Sequence, residues 1–289
     1  MLTYKSIDYT SELPQVLALT KAHLDDEFSE AFFKWKHLEN PFGVSFAMGA
    51  WESDRLVGLR LFMRWEFIGP NNEIVKAIRP VDTVTHTDYR GKGIFKTLTL
   101  QGLELNHNNY DIIFNTPNQN SLPGYLKMGW QKIDLPNTFV YGILNPFNKN
   151  KKKIVFSFDR YSLFKTTNQF WQTNTSESYL KWRYQDASFR FATFPDAGFV
   201  VYKITITKGF RMIMVYETIG QRDAITSILS AIASKEKAFL CYGYFGNITS
   251  KLPFVLHFKR NSPVVVWRDD KKIIHDTIEF SLGDLEGRL

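Results

Sequence analysis

Residues 81–95 read Val-Asp-Thr-Val-Thr-His-Thr-Asp-Tyr-Arg-Gly-Lys-Gly-Ile-Phe. A β-type run over 81–85 passes through a short polar turn into Arg90-Gly91-Lys92-Gly93, where a helical pattern opens. Two glycines at a strand-to-helix turn let the backbone approach a ligand with its N–H groups outward. The first turn of a helix has unpaired N–H donors and the positive end of a dipole, so its natural guest is an anion. Arg90 and Lys92 add charge at the same place. The stretch is therefore expected to cradle a pyrophosphate, and it sets a strand directly before the helix that does so.

Working outward, 4–7 alternates as a short strand and 13–24 has helical spacing. Residues 29–38 form a second expected helix with Ser29 as N-cap, ended by Asn40-Pro41-Phe42-Gly43. Strands are expected over 45–51, 55–68 and 73–85, with turns at 52–54 and 69–72. The helix after the glycine turn places Ile94, Leu98, Gly102 and Leu105 on one face. A buried strand over 110–114 and a short helix over 118–128 follow, and 131–133 with 138–144 reads as a closing hairpin. The order β-α-α-β-β-β-α-β-α-β-β predicts an α+β fold: a mostly antiparallel mixed sheet flanked by helices.

The chain has 289 residues, room for two domains. At 44% hydrophobic and 22% charged it has the composition of a folded globular protein. A net charge of +7 favours anionic partners. No block of Lys/Arg interleaved with aromatics marks a nucleic-acid surface. The single cysteine, Cys241, lies in the apolar run Phe239-Leu240-Cys241-Tyr242 and reads as a buried spectator. No run approaches eighteen apolar residues and no secretory leader is recognisable, so membrane insertion is not expected and the expected location is the cytoplasm. The basic stretch 146–153 reads as a linker between domains over 1–145 and 154–289. The second half repeats the first: Phe33-Lys34-Trp35-Lys36 recurs as Leu180-Lys181-Trp182-Arg183, each at a helix end before a strand series. Where the first half has its glycine loop, the second has Gly220-Gln221-Arg222-Asp223, so no second pyrophosphate site is expected.

Gly91-Lys92-Gly93 is followed by Lys96 rather than glycine, which departs from a Rossmann fingerprint, and no Gly-Lys-Ser/Thr makes a P-loop. Downstream, Asn118, Ser121, Tyr125 and Gly129-Trp130 are spaced as N-x-x-S-x-x-x-Y-x-x-x-G-W. With Tyr89-Arg90-Gly91-Lys92-Gly93-Ile94 this resembles the GNAT superfamily of acyl-CoA-dependent N-acyltransferases, over roughly 1–145. The second half is similar to a degenerate GNAT copy in element order, so the chain resembles the two-domain members. The resemblance implies acetyl-CoA or another acyl-CoA as co-substrate. It implies that Thr83, Val84 and Thr85 pair with the pantetheine arm like an added strand, and that Arg90, Gly91, Lys92, Gly93, Ile94 and Phe95 hold the pyrophosphate. Asn118 would contact the cofactor arm or its neighbouring backbone, and Tyr125 would give a proton to the departing thiolate. Phe95 stands where the family commonly has glycine or alanine.

The acceptor amine must lose a proton, and the chain offers Asp82, Glu66 and His86 near the key strand, with the C-terminal carboxylate of Leu289 a further option. Asp82 is the leading candidate, beside the expected bulge. His23, His37, His107, His257 and His275 lack partners at ligand spacing, so no metal site is expected. Trp35 and Trp182 read as core anchors, and Asp269-Asp270 as a hairpin turn. The partner expected is a small-molecule amine: an amino sugar of envelope polysaccharide synthesis would suit the aromatic, basic composition, as would an aminoglycoside, a small amine or a peptide amine. Two rivals remain open, a Fem-like aminoacyl transferase and a catalytically silent CoA-binding or partner-binding module.

Overall fold

The computed structural model describes residues 1–133, 135, 139–145, 154–158, 170–245, 252–260, 263–274 and 278–285. In chain order these form β1 (Leu2–Ser6), α1 (Tyr9–His23), α2 (Glu30–Phe33) continued by a π-helical turn Lys34–Leu38, β2 (Phe46–Glu52), β3 (Arg55–Ile68), β4 (Ile74–Thr85), α3 (Ile94–Leu105), β5 (Ile112–Asn115), α4 (Leu122–Lys127) and β6 (Gln131–Ile133). Then come β7 (Phe139–Leu144), β8 (Trp171–Thr173), α5 (Glu177–Arg183), β9 (Arg190–Phe194), β10 (Gly198–Thr207), β11 (Phe210–Gly220), α6 (Arg222–Glu236), β12 (Leu240–Tyr244), β13 (Phe254–Arg260), β14 (Val265–Arg268), β15 (Ile278–Glu279) and α7 (Leu282–Leu285).

The chain folds as two compact units, 1–68 with 73–133 and 264–275, and 69–72 with 134–263 and 276–289. In the first, the sheet runs β1-β2-β3-β4-β5-β14-β6, antiparallel throughout except for the β4–β5 pair. In the second it runs β13-β7-β12-β11-β10-β9, antiparallel except for β11–β12. Each unit is thus a mixed α+β sheet in which an antiparallel series meets one parallel partner, and in each a helix, α3 or α6, connects that parallel pair.

The hairpin expected over 131–144 does not form. β6 pairs with β14, and β7 pairs with β12 and β13. Nearness in sequence suggested the hairpin; burial decided otherwise. The slot between β5 and β6 needs a strand buried on both faces, and β14 supplies Val265 and Val266, both at 0% exposure. Each unit therefore borrows a strand from the other half of the chain, and a division of the sequence near 145 does not divide the two units in space. The basic stretch 146–153 lies outside the described residues.

Ser29 caps its helix by accepting from Phe32 N at 3.1 Å, as expected. On α3, Ile94 and Leu98 face the core, but Leu105, the last residue of the helix, is 63% exposed and Leu103 is buried instead. Asp269 makes its turn by accepting from Ile273 N and Ile274 N, yet no described strand returns beside β14, whose neighbours are β5 and β6. Trp35 and Trp182 are buried and Cys241 is 1% exposed.

Two glycines hold corresponding places in the two units. A Cβ on Gly58, at the start of β3's pairing with β4, would lie 2.6 Å from Ile94 on α3. A Cβ on Gly198, at the start of β10's pairing with β11, would lie 2.9 Å from Ala224 on α6. Each lets the following helix seat on its strand.

Because β14 completes the first sheet, a fragment ending at residue 145 leaves β5 and β6 unjoined. It is expected to lack a cooperative urea transition by circular dichroism, whereas a 1–145 domain that closed on itself would unfold in one step.

Candidate functional site

The site begins at an irregularity between β3 and β4. Leu59 faces Val84 and Leu61 faces Val81, so Asp82 and Thr83 together oppose Arg60. This is a β-bulge, and Asp82 takes a left-handed φ of 45° to make it. On its other side β4 pairs with β5 only at Ala77↔Ile112 and Ile78↔Ile113. At Pro80 the ladder is replaced by a side chain, Asn115 Nδ2 donating to the Pro80 carbonyl at 2.8 Å. Thr83, Val84 and Thr85 therefore sit on a stretch that has left the β5 ladder, an edge splayed away from β5.

His86 carries the chain out of β4. Its Nδ1 accepts from Asp88 N at 3.3 Å and caps a 3₁₀ turn over Thr87–Tyr89. Gly91 and Gly93 then take φ of 78° and 76°, and a Cβ at either would meet nothing within 4 Å. Gly93 is the N-cap of α3 and offers no side-chain cap. Open space over two left-handed glycines and an uncapped helix start suit a diphosphate. Arg90 is exposed, its Nε within 3.4 Å of the Thr85 carbonyl, and Lys92 Nζ stands 4.5 Å over the Tyr89 ring. Ile94 is buried beneath.

Tyr125, on α4, is 2% exposed at the end of the splay. Its Oη accepts from Arg60 Nη2 at 2.8 Å and from Asn115 Nδ2. Its ring meets Trp130 and Phe95 edge-to-face at 4.7 and 5.8 Å. Phe95 also lies 4.7 Å beneath the Arg60 guanidinium. Asn118 plays a local part: its Oδ1 accepts from Asn120 N and Ser121 N, both at 3.0 Å, shaping the entry to α4.

Asp82, foreseen as a base, is held by Lys36 and His37. Lys36 Nζ lies 2.8 Å and His37 Nε2 2.8 Å from Oδ2, and His37 Nδ1 lies 2.9 Å from Ser45 Oγ. Burial alone would raise the Asp82 carboxyl. The Lys36 charge and the hydrogen bonds from His37 and Lys36 outweigh it and hold the group well below its ordinary 3.8. Burial keeps His37 below its ordinary 6.5, so Nε2 carries the ring proton toward the carboxylate and Nδ1 accepts from Ser45. A carboxylate so held is a weak base.

The second unit repeats this contact. Tyr184 follows Trp182 and Arg183 as His37 follows Trp35 and Lys36, and its Oη donates at 2.5 Å to Glu217 on β11. A bulge again adjoins the acid, between Val201↔Glu217 and Tyr202↔Val215. Here Arg183 Nη2 donates to the Gly283 carbonyl at 2.6 Å. Burial, then the neighbouring Asp284, push the Glu217 carboxyl up to about 8. The glycine of this unit's turn, Gly220, is pressed on Ala197: a Cβ there would lie 2.4 Å from the Ala197 carbonyl oxygen. The second unit keeps the pinned bulge and has no open glycine cradle at that turn.

Of the other base candidates, Glu66 lies on β3 toward its far end, opposite Lys76, and His86 Nε2 lies 2.6 Å from Arg55 Nη2. Leu289 lies outside the described residues. Among the described residues no cluster of metal-ligating side chains occurs and no helix is long and apolar enough to cross a membrane. Sequence reasoning missed Arg60, Asn115, Lys36 and His37. The one available signal was Arg60 itself, a charge inside the apolar run Leu59-Arg60-Leu61-Phe62-Met63.

The two pinned acids respond to pH with opposite sign. Asp82, lowered by folding, contributes stability present above its unfolded value of 3.8 and lost as pH falls below it. Asp82→Asn is therefore expected to cost on the order of 3 kcal/mol in urea unfolding at pH 7, with the gap to wild type narrowing below pH 3.8. Glu217, raised by folding, contributes stability complete below 4.5 and lost as pH rises through about 8. Glu217→Gln should flatten the loss of melting temperature between pH 6 and 9 that wild type shows; an unchanged alkaline slope would contradict that assignment.

Residues 3–133 match the acetyltransferase (GNAT) domain family. No curated protein matches the chain by sequence. Solved structures share the fold across both halves. A conserved protein of unknown function from Enterococcus faecalis V583, described as a probable N-acyltransferase, is 14% identical with a TM-score of 0.72, covering 93% of this chain and 72% of that one. A GCN5-related N-acetyltransferase from Anabaena variabilis is 11% identical with a TM-score of 0.70, covering 93% and 73%. Another from Kribbella flavida is 15% identical with a TM-score of 0.70, covering 93% and 71%. The family match thus identifies the stretch over residues 3–133 as a GNAT acetyltransferase domain, and the solved structures share the fold of the chain.

Proposed function

We propose that the chain is an acyl-CoA-dependent N-acyltransferase with one acyl-transfer site, in its first unit, and a second, degenerate GNAT-like unit without one. The observation that carries this is the conjunction, in one unit, of the open Gly91–Gly93 turn, the splayed edge at Thr83–Thr85 and a buried Tyr125 at the end of the splay. A Fem-like enzyme or a silent module would not require all three.

Acyl-CoA, when bound, brings an activated acyl thioester. The N–H groups of Gly91, Gly93, Ile94 and Phe95, with Arg90 and Lys92, would hold its diphosphate. The edge of Thr83, Val84 and Thr85 would pair with its amide arm as an added strand. Asn118 supports this by shaping the loop before α4. A primary amine attacks the thioester carbon: the C–N bond forms, the C–S bond breaks with its electron pair on sulfur, and Tyr125 gives its proton to that sulfur. The amine loses one proton, and solvent returns one to Tyr125. Asp82, bound to Lys36 and His37, does not take the amine's proton directly; it holds the bulge that opens the splay.

Isothermal calorimetry with acetyl-CoA, then thiol release against amino sugars, polyamines, amino acids and aminoglycosides, tests the reading; saturable binding with release dependent on one amine class is expected. No binding would favour the Fem-like alternative, and binding without release the silent module. Tyr125→Phe is expected to lower kcat on the order of 10²-fold while KM for acetyl-CoA stays within about twofold. An equal loss of acetyl-CoA affinity would remove Tyr125 from the role of acid.

A further inference from the structure

We propose, on the acyl-transfer reading above, that Arg60 is a positioning residue for the reaction: its guanidinium holds the Tyr125 phenol so that the phenolic proton points out of the core toward the leaving sulfur. A phenol oxygen has two acceptor lone pairs and one O–H. Arg60 Nη2 and Asn115 Nδ2 both donate to Tyr125 Oη. Neither nitrogen can accept a proton in return, so the O–H must be directed to a third partner. Arg60 Nη1 donates as well to Thr83 Oγ1 at 2.6 Å. One planar group therefore ties the acid on α4 to the bulged stretch of β4.

Two observations separate this from ordinary core packing. Arg60 is 0% exposed, and among the described residues no carboxylate pairs with it; its charge faces the rings of Phe95 at 4.7 Å and Tyr125 at 5.4 Å. Burying a cation without an anion is costly, and an apolar side chain of similar volume would serve packing as well or better. The second unit has an aliphatic residue at the corresponding place. Arg60 lies two residues beyond Gly58, whose partner is Thr85; the position two beyond Gly198, whose partner is Gly220, is Val200, also at 0% exposure. The same sheet geometry is built with an aliphatic residue in the unit that has no open glycine cradle. The guanidinium is thus kept where a negative charge develops: as the proton passes from Oη to sulfur, charge builds on Oη beside Nη2, and the attraction is strongest at that moment.

The test uses the full chain with Arg60→Met, Arg60→Lys, Tyr125→Phe and the Met/Phe double variant, each first confirmed to melt cooperatively. If Arg60→Met does not, Arg60→Lys and Arg60→Gln take its place in the comparison. Arg60→Met is expected to lower kcat for thiol release on the order of 10²-fold with KM for acetyl-CoA within about threefold, and Arg60→Lys to recover about tenfold. The double variant should be no more than about threefold below Tyr125→Phe, because the two residues act as one unit. Calorimetry supplies a readout apart from turnover: wild type should bind CoA about fivefold tighter than desulfo-CoA, and that preference should vanish in Arg60→Met and Tyr125→Phe while desulfo-CoA affinity holds. Multiplicative losses in the double variant, or equal weakening of CoA and desulfo-CoA in Arg60→Met, would overturn the assignment and leave acyl transfer standing. Wild type that neither binds acetyl-CoA nor releases thiol would remove the acyl-transfer reading, and the role of Arg60 with it.

Discussion

The first unit depends on one local constraint: β4 must leave β5 after two rungs of parallel pairing and still stay on β3. The bulge at Asp82 and Thr83 meets it by placing two residues against Arg60. An aspartate at positive φ carries strain of order 1 kcal/mol or more, so something must hold it. Lys36 and His37 grip its carboxylate from the end of the α2 helix, and Arg60 grips Thr83 from below. The π-helical turn Lys34–Leu38 contributes here, because it presents Trp35 to the core together with Lys36 and His37 to the acid. Removing the grip would let β4 relax toward a regular ladder and close the edge on which Thr83, Val84 and Thr85 sit.

What the two units share separates architecture from chemistry. Both units keep the tryptophan at a helix end, the residue two places on that bonds a carboxyl group, and the bulge beside that carboxyl. Only the first has open space above two left-handed glycines at the turn that enters its helix; the corresponding Gly220 is pressed on Ala197. The pinned acid is thus a property of the fold, and the glycine turn, Arg60 and Tyr125 are properties of the proposed site. That argues against Asp82 as a base on grounds independent of its depressed ionisation: Glu217 holds the same station in a unit without the cradle. The partners differ, and so does the charge state. Lys36 lies against Asp82, whereas Arg183 donates to a backbone carbonyl and leaves Glu217 among Tyr184, Ser281 and Asp284.

Much of this was legible in the sequence. The elements from β1 to α4, the Ser29 cap, the glycine turn and its missing counterpart rest on local rules of periodicity, capping and left-handed glycine, which need no tertiary knowledge. Two things were not. The exchange of β7 and β14 is decided by which strand can be buried on both faces, a property of the assembled sheet rather than of neighbours in sequence. The partners of Tyr125 and Asp82 are set by contacts 65 and 46 residues apart, which no spacing rule reaches. Only an arginine inside an apolar strand hinted that something buried required a charge.

Phe95 departs from the small residue usual at its position, and the structure supplies the reason. Its ring turns inward, beneath the Arg60 guanidinium and edge-on to Tyr125. Bulk gained on α3 is given up on α4, where a Cβ on Gly124 would come within 3.1 Å of the Phe95 ring. The space over Gly91 and Gly93 stays open, so the aromatic ring does not compete with a diphosphate for the backbone donors. What the ring does is cover the Arg60–Tyr125 pair. Shielded from water, a hydrogen bond between a cation and a phenol is stronger, and a proton leaving that phenol has fewer places to go. A smaller residue at 95 would leave the cradle as open as it is now and the acid beneath it wetter. The Phe95 side chain therefore serves the chemistry proposed at Tyr125, while its backbone N–H stays with the proposed grip on phosphate.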